Sequence, residues 1–295
     1  MSSVSDPRRL ALALGLLALA ALTGCAQGPV HEALGVAAPQ GADVLRVCAD
    51  PNNLPFSNER GEGFENAIAD VLARDLHLRV ATTWWPQRRG FVRNTVRAGK
   101  CDVVLGVPAH YELLTTTRPY YRSTYVFVTR HDRALAVRSF DDPRLRTLAI
   151  GMHTIGDDYN NTPPAQALAW RHIVDNIHGY PLVGDYSQPD PPRNLIDAVA
   201  RGEVDVGIAW GPLAGYFAGR EPAALTLVPV APQNDRGRLP MAFDIALGVR
   251  HGDAALRERL QAALDRHRAD IDDVLRAYGV PLLPLGLPLA LTSKE

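Results

Sequence analysis

The 295-residue sequence lacks any concentration of positive charge. Its 31 Lys and Arg residues are balanced by 32 Asp and Glu residues, which gives a formal net charge of −1. The basic residues also form no polybasic block. A protein that binds nucleic acid through its phosphates usually carries a basic patch or stripe. The sequence therefore makes no electrostatic case for nucleic acid as a partner.

The signatures of catalytic and metal sites are missing as well. The nine His residues show no ligand spacing such as His-x-x-x-His on a helix, the arrangement that suits a metal ion. No Ser lies on a nucleophile-elbow motif, where a strained turn exposes the reactive hydroxyl. We therefore predict a protein that is not an enzyme and that holds no metal ion or cofactor of its own.

Cysteine is scarce, and the first of the three cysteines follows an export signal. Arg8 and Arg9 precede an apolar run, LALALGLLALAAL, which is shorter than the roughly 20 residues that span a bilayer. Leu22-Thr23-Gly24-Cys25 then resembles the lipobox of bacterial lipoproteins. We predict a signal peptide at 1–24, a lipidated Cys25, a tether at 25–42, and a periplasmic protein anchored to the outer rather than the inner membrane.

The other two cysteines, Cys48 and Cys101, leave two alternatives open. An exported protein meets an oxidising compartment, which favours a disulfide. A disulfide needs Cα atoms within about 7 Å, and Cys48 lies late in the first predicted strand whereas Cys101 precedes the third. The alternatives are a Cys48–Cys101 bridge and two buried thiols.

The segment 45–106 organises the chain. Apolar runs alternate with helix-period stretches, which predicts a βαβαβ unit and a parallel sheet covered by helices on both faces. Ligands of such sheets bind beyond the carboxyl ends of the strands. The segments that follow the strands are 50–56, 84–89 and 107–112, and they are rich in aromatic, Arg and Asn residues. We interpret them as one wall of a cleft.

Hydrophobic periodicity predicts the remaining elements. A phrase also recurs: RAGKCDVVLG in the first half of the chain and ARGEVDVGIAW in the second, each with an Asp after a Gly-containing turn. The repetition predicts two similar α/β lobes. The predicted strands lie at 45–49, 78–83, 103–107, 120–128, 146–151, 204–210 and 241–249, and the predicted helices at 64–76, 90–98, 165–177, 195–200 and 254–278.

This combined pattern resembles the two-lobed, type II periplasmic solute-binding proteins. The resemblance implies an α/β fold whose two lobes are joined by a hinge of two crossover strands and close over a cleft. It places lobe one at 43–130 and 240–295 and lobe two at 131–239. Family members that bind amino acids carry a Thr-x-x-Arg clamp after the third strand and an acid at the end of a lobe-two strand. Here 108–113 contains no Arg, and Trp210 takes the acid's place, which argues against ordinary amino-acid binding.

Four longer blocks resemble a narrower group, the quinoprotein-dehydrogenase-associated proteins of the MoxJ and XoxJ type. The blocks are RVCADPNNLPFSNERGEGFENAIA, TWWPQRRGFVRNTVRAGKCDVVLGVPA, TTRPYYRSTYVFVTR and IGDDYNNTPP. The resemblance implies a non-catalytic monomer that helps to mature or activate a PQQ-dependent alcohol dehydrogenase of the methanol type, calcium- or lanthanide-dependent, with its cytochrome c as a further partner. The alternative is the receptor of an ABC transporter for a small ligand that is not an amino acid.

The candidate cleft residues come from the strand-end segments and from the loops that face them. One of the adjacent residues Trp84 and Trp85 is expected to face the cleft, because adjacent strand residues point to opposite faces. Arg88 and Arg89 open a predicted helix, where cations are unfavourable, so they are candidates for contacting a carboxylate or, alternatively, solvated side chains. For Asp157 and Asp158 the alternatives are a cleft lip, an oxygen-ligand cation site, or helix-capping residues, of which capping is favoured. The full set is Asn52, Phe56, Trp84, Trp85, Arg88, Arg89, His110, Arg118, Tyr120, Tyr121, Asp157, Asp158 and Trp210.

Overall fold

A computed structural model describes residues 43–155, 162–182, 186 and 188–286 of the chain. The predicted signal peptide and tether, together with Cys25, Asp157 and Asp158, lie outside the described residues. Within the described part of the chain, no helix is both long and apolar enough to cross a membrane.

The described residues form strands that range from two-residue pairs to a ten-residue strand. Short strands accompany turns, whereas the longer ones carry the apolar runs seen in the sequence. The strands are β1 (Val44–Ala49), β2 (Asn52–Asn53), β3 (Ser57–Asn58), β4 (Arg79–Trp84), β5 (Val103–Pro108), β6 (Thr115–Thr116), β7 (Tyr121–Arg130), β8 (Ile150–Thr154), β9 (Ile177–Pro181), β10 (Val206–Trp210), β11 (Leu225–Pro229), β12 (Asn234–Asp235), β13 (Leu239–Pro240) and β14 (Ala242–Val249).

The helices lie between these strands and after the last of them. Two short 3₁₀ turns, His131–Arg133 and Pro143–Arg146, precede β8. The α-helices are α1 (Phe64–Asp75), α2 (Phe91–Asn94), α3 (Pro163–Ala169), α4 (Arg193–Arg201), α5 (Gly211–Ala218), α6 (Ala254–Arg266) and α7 (Arg268–Ala277).

One mixed sheet runs through the molecule in the order β4-β1-β5-β14-β7-β10-β8-β9, with β6 paired to β14 and β11 paired to β7. Strand β1 is parallel to both β4 and β5, so the predicted βαβαβ unit is confirmed. Strands β8, β9 and β10 form a second parallel group. Each parallel group carries its own helices, as expected for two α/β lobes.

Strands β7 and β14 join the two groups. The first residues of β7, 121–124, pair with β14, whereas residues 125–130 pair with β10 and β11. Strand β14 in turn pairs with β5 in the first group. The chain therefore crosses between the groups on two antiparallel strands. The predicted lobe boundaries at 130/131 and 239/240 fall at the end of β7 and within β13, and the division itself stays a prediction.

The hydrophobic core is divided in the same way. Around the first parallel group, α1, α6 and α7 bury Phe64, Leu260 and Ile271 against β1, β5 and β14. Around the second, the buried faces of α4 and α5 pack against β7 and β10. In α1 and α4 the packing face follows from apolar residues at helical spacing, which form one stripe on an otherwise polar helix.

The recurring Asp performs the same task in each half of the chain. The backbone N–H of Asp102 donates to the carbonyl of Arg46 (2.8 Å), and its carboxylate accepts from the Arg46 guanidinium. The backbone N–H of Asp205 likewise donates to the carbonyl of Ala149 (2.8 Å), and its carboxylate accepts from the Ala149 N–H (2.8 Å). The repeated sequence phrase therefore marks a repeated strand-start contact.

Several predicted boundaries were wrong. The predicted helix at 165–177 ends at Ala169, and Ile177 begins β9. The predicted helix at 254–278 is two helices, α6 and α7, because the backbone leaves helical geometry at His267. The strand expected at 146–151 begins only at Ile150, after a 3₁₀ turn that Asp142 caps through the Arg144 N–H. Helix α5 was not predicted, because its residues are apolar on all sides and show no periodicity.

The two remaining cysteines are bridged. Cys48 and Cys101 form a disulfide with Cα atoms 5.6 Å apart. Cys48 lies directly beside Val104 in the β1–β5 pairing, so Cys101, three residues earlier, comes close only because the chain bends before β5. Both cysteines are buried with Phe91, Val92 and Val96 in one apolar cluster. The bridge therefore ties α2 and the start of β5 to β1.

Candidate functional site

A cavity of about 510 Å³ lies where the two parallel groups meet, beyond the carboxyl ends of β1 and β5. Its volume is in the range of pockets that hold small molecules or inserted side chains. The described residues that line it are Asp50, Asn52, Asn53, Phe56, Glu65, Gln87, Gly106, Pro108, Tyr121, Tyr125, His153, Ile155, Thr162, Pro163, Leu182, Tyr186, Pro191, Trp210, Leu213, Phe243 and Ile245.

A cluster of three aromatic rings forms the apolar wall of this cavity. Trp210 lies 5.4 Å from Tyr125 and 5.8 Å from Phe243 between ring centroids, with edge-to-face geometry. The rings come from β10, β7 and β14, so they meet where the chain crosses between the groups. Such rings offer a large, stiff contact area and face a positive charge favourably.

Asp50 forms part of the opposite wall and is fully engaged in hydrogen bonds. It directly follows β1 and is 4% exposed. Its Oδ1 accepts from the Asn52 N–H (2.8 Å), and its Oδ2 accepts from the Gln87 N–H (2.5 Å) and the Tyr186 hydroxyl (2.7 Å). These three contacts satisfy the carboxyl group of Asp50 at the cavity wall with neutral donors.

Glu65 is the second acid of the cavity, and its carboxyl group has no such support. It lies in the first turn of α1 with its Oε1 against Gly106; a Cβ at Gly106 would lie 2.1 Å from that oxygen. Gly106 also has φ +72°, a conformation that glycine accepts easily. Among the described residues, no side chain or backbone group forms a hydrogen bond or ion pair with the Glu65 carboxyl. The absence of a side chain at Gly106 therefore leaves space for the Glu65 carboxyl group, which has no hydrogen-bond partner among the described residues.

The cavity contains no cation at neutral pH among its described lining residues. No Lys or Arg lines it. Burial lowers the pKa of His153 to about 4, and its Nε2 lies 2.9 Å from the Pro192 carbonyl oxygen, which a neutral ring donates to. Burial, and then the Asp50 charge, raise the pKa of Glu65 to about 8. The geometry therefore suits an apolar group that carries a positive charge or a strong hydrogen-bond donor.

Contacts between the loop after β1 and the segment before α4 cover one side of the cavity. The Asn52 amide donates to the Gln188 carbonyl (2.8 Å) and accepts from the Asp190 N–H (3.3 Å). Tyr186 adds its hydrogen bond to Asp50, and the Arg88 guanidinium lies 5.7 Å from the Tyr186 ring. These groups lie more than 90 residues apart in sequence, and their contacts hold the two halves of the molecule together over the cavity.

Residues 45–279 match the family described as bacterial extracellular solute-binding proteins, family 3. The chain belongs to this family. Within it, the chain is of the MoxJ and XoxJ type, as two curated relatives and two solved structures indicate. As a member of a family of extracellular binding proteins, this solute-binding protein is assigned to the periplasm.

The relatives match over nearly the whole chain. Protein MoxJ of Methylorubrum extorquens is 34% identical over 306 residues, covering 97% of this chain and 99% of that protein. Protein MoxJ of Paracoccus denitrificans is 34% identical over 275 residues, covering 87% and 96%.

Two solved structures share the fold of this solute-binding protein. The periplasmic binding protein XoxJ from Methylobacterium extorquens AM1 has a TM-score of 0.67 at 35% identity, covering 81% of this chain and 99% of that one. MxaJ from Methlophaga aminisulfidivorans MPT has a TM-score of 0.68 at 26% identity, covering 81% of this chain and 100% of that one. The predicted two-lobed type II fold is thereby confirmed.

Four of the predicted cleft residues line the cavity of this solute-binding protein. They are Asn52, Phe56, Tyr121 and Trp210. Asn52 and Phe56 belong to the loop that follows β1, and Trp210 ends β10. These three residues therefore lie at the carboxyl end of a parallel strand or close to it, the position from which the cleft was predicted, whereas Tyr121 is the first residue of β7.

The two adjacent tryptophans do not line the cavity, which corrects the sequence-based expectation. Trp84 ends β4 and Trp85 follows it; β4 is an edge strand of the sheet and lies one strand further out than β1. Trp84 is paired with Ala49. Trp85 packs against the disulfide cluster, with the Lys100 ammonium 4.3 Å from the ring centroid.

Three further candidates are likewise not on the cavity. Arg118 forms an ion pair with Asp265 on α6 (2.6 Å), on the helical layer of the first group. His110 is exposed in the turn after β5, where its N–H lies 3.3 Å from the Thr116 hydroxyl. Tyr120 is 1% exposed and belongs to the core, because adjacent residues point to opposite sides and its neighbour Tyr121 takes the cavity side.

Arg88 and Arg89 line a second, neighbouring groove and not the cavity itself. Arg88 still approaches the cavity through its contact with Tyr186. In the described ranges, no group of three His, Cys, Asp or Glu side chains is placed to hold a metal ion.

Sequence reasoning missed several residues of the site. Tyr125 lies four residues after Tyr121 on β7, and Phe243 lies two residues before Ile245 on β14, so strand alternation would have placed each pair on one face. Glu65 could not be recognised as a cavity residue, because an acid in the first turn of a helix commonly stabilises the helix dipole. His153 and Tyr186 were not identifiable without the fold, since both reach the cavity from the second half of the chain.

We expect Glu65 to make folding less favourable as the pH rises. Its folded-state pKa of about 8 lies above the ordinary value of 4.5, so the folded protein retains a proton that the unfolded chain has lost. The free energy of unfolding should therefore fall between about pH 4.5 and pH 8, and Glu65→Gln should remove this decline. The measurement is urea unfolding of both proteins at pH 5 and pH 8.

Other titratable groups near Glu65 also affect the pH dependence of stability and must be separated from its contribution. His153 acts in the opposite direction, because its lowered pKa weakens the fold as the pH falls from about 6.5 to 4, but it acts equally in both proteins. Burial keeps Tyr120 and Tyr121 neutral by raising their pKa values. Glu59→Gln, at an exposed acid outside the cavity, is the matched control. Equal pH dependence in Glu65→Gln and the unaltered protein would contradict the assignment.

Proposed function

We propose that this protein is an accessory protein of a PQQ-dependent alcohol dehydrogenase of the methanol type. It binds the enzyme, or a segment of it, and favours the state that is competent for cofactor loading or activity. PQQ belongs to the enzyme, and this chain supplies a binding surface. Similarity to MoxJ over 97% of the chain supports the proposal.

The chemistry of the cavity is the observation that carries the proposal. A receptor for a free amino acid needs a cation for the carboxylate, and no Arg or Lys lines the described cavity wall. Three aromatic rings and two acids instead suit a partner side chain with an apolar body and a basic end. We propose that Asn52, Phe56, Tyr121 and Trp210 contact that segment.

We further propose that a lipid anchor holds the protein at a membrane and that a hinge opens the cavity. Lipidation at Cys25 and the tether at 25–42 hold the binding lobes, 43–130 with 240–295 and 131–239, at a membrane surface. Admission of a segment requires the contacts of Asn52 and Tyr186 to open, with β7 and β14 serving as the hinge. The protein works as a monomer with the dehydrogenase, and with the cytochrome c of that enzyme as a further partner.

A binding measurement tests this function. The protein is mixed with the calcium-dependent or lanthanide-dependent methanol dehydrogenase of the same genome, with and without PQQ, and complexes are measured by calorimetry and native mass spectrometry. We expect a one-to-one complex, with tighter binding of the form that lacks PQQ. A stoichiometric small molecule in the cavity, together with no binding of either enzyme form, would show instead that the protein is a solute receptor.

A further inference from the structure

A second concave surface, the arginine groove, lies beside the cavity and has the opposite charge. It has a volume of about 730 Å³ and is lined by the segment around α2 and by the carboxyl end of β5. Four arginines line it: Arg88, Arg89, Arg93 and Arg97. No Asp or Glu is among its described lining residues.

The arginines project outward because the apolar residues between them are buried. Phe91 and Val92 are 6% and 8% exposed and pack into the cluster around the Cys48–Cys101 disulfide. All four arginine side chains are exposed. The four arginines therefore extend from a backbone segment whose buried side is held by the cluster around the disulfide.

This concentration of charge differs from the arrangement of arginines elsewhere in the molecule. Arg46, Arg118 and Arg266 each form an ion pair with a nearby Asp. Arg93 and Arg97 form no ion pair with a described residue. In a chain of formal net charge −1, four arginines on a groove with no Asp or Glu among its described lining residues create a local positive potential that attracts negative groups.

The rim of the groove is apolar, which indicates what kind of anion it accepts. Leu113 is 41% exposed, an unusual exposure for so large an apolar side chain in this protein. Tyr111 is half-buried beside it. A small inorganic anion would gain nothing from Leu113, whereas an acidic peptide carrying an apolar residue would bury it while its carboxylates meet the arginines.

The arginine groove and the cavity share a border. Gln87, Gly106 and Pro108 line both. An extended chain that leaves the acidic cavity at this border enters the basic groove at once. The two surfaces are therefore placed to contact two successive parts of one segment.

We propose that the arginine groove docks an acidic segment of the protein partner, next to the part that enters the cavity. This inference rests on the proposed function for the identity of the partner, the methanol-type dehydrogenase. The charge pattern of the groove supplies the chemistry: carboxylate side chains flanking at least one apolar residue.

The test removes two charges from the groove without touching the cavity. Arg93→Gln with Arg97→Gln should weaken binding of the dehydrogenase on the order of tenfold at low salt, because each lost surface ion pair contributes modestly. It should also flatten the dependence of the dissociation constant on NaCl concentration. The matched control is Arg74→Gln with Arg259→Gln, which removes the same charge from two exposed arginines outside both surfaces.

A second arm separates failure of the groove from failure of the proposed function. A synthetic ten-residue peptide with six Glu and two Leu is titrated by fluorescence anisotropy into the full chain and into both double variants. Loss of binding in the Arg93/Arg97 variant alone supports the groove even when no dehydrogenase binds. Equal binding of the peptide by all three proteins overturns it, as does full displacement of the peptide by inorganic phosphate at constant ionic strength, which would reveal a small-anion site.

Discussion

Replacing Asp235 by alanine should lower the free energy of unfolding by about 3–5 kcal/mol, the usual consequence of leaving one member of a buried ion pair alone. The Asp235 carboxylate accepts two hydrogen bonds from the Arg171 guanidinium, at 2.8 and 2.7 Å. The side chains are only 2% and 6% exposed, respectively. Without Asp235, the buried guanidinium loses its principal partner, the contact that holds the pKa of Arg171 above its ordinary value. It still keeps its charge, because a guanidinium is not deprotonated in a protein.

The position of this pair explains why the effect should reach beyond one hairpin. Arg171 follows α3, and Asp235 belongs to β12. The guanidinium also donates to the Ala167 carbonyl (2.9 Å) and to Asp141 (2.8 Å). The pair therefore ties α3, the β12–β13 hairpin and the loop before β8 into one unit that packs beside β8 and β10.

Equilibrium urea unfolding, followed by circular dichroism, measures this effect. The matched control is Asp141→Ala, which removes an exposed partner of the same guanidinium and should cost less than about 1 kcal/mol. The double variant Arg171→Met with Asp235→Leu should recover most of the loss, because a buried pair can be replaced by apolar residues of similar size. A loss below that of Asp141→Ala would contradict the assigned role of the pair.

Such ion pairs were not predictable from the sequence, whereas much of the fold was. The βαβαβ unit was recognisable because its strands are apolar runs and its first helix has apolar residues at helical spacing. Asp102 and Asp205 could also be recognised from their local sequence, because each follows a Gly-containing turn and precedes a strand. Helix α5 was missed because it is apolar on all sides and shows no helical period. Strand β9 was missed because it is an edge strand without a buried face, so it shows no apolar alternation.

The residues of the candidate site likewise fall into those that the sequence predicts and those that only the fold reveals. Residues at strand ends, such as Asn52 and Trp210, were found because chain topology alone brings them to one edge of the sheet. Trp85 was misplaced because the order of strands, with β4 at the edge, follows from tertiary pairing. The contact between the Glu65 carboxyl group and Gly106 could not be predicted, because the two residues lie 41 positions apart in sequence and only the fold brings them together.

Replacing Trp210 by alanine should weaken binding of the dehydrogenase by about 30-fold or more, the loss expected when a central aromatic anchor of an interface is truncated. The Trp210 ring forms the middle of the cluster with Tyr125 and Phe243. Its removal would create a gap in the apolar wall of the cavity, so a bound side chain would lose its aromatic contact opposite Asp50 and Glu65. Calorimetric titration with the dehydrogenase that lacks PQQ measures the change.

Two matched variants distinguish a binding role of Trp210 from a merely structural one. Trp210 also packs against the core clusters on both sides of the cavity, so Trp210→Ala lowers stability as well, and its folding is checked by thermal unfolding. Trp210→Phe keeps an aromatic ring and should retain most of the affinity. Trp85→Ala removes a tryptophan outside the cavity and should leave the affinity unchanged. If Trp85→Ala weakens binding as strongly as Trp210→Ala, the partner docks on the edge of the sheet and not in the cavity.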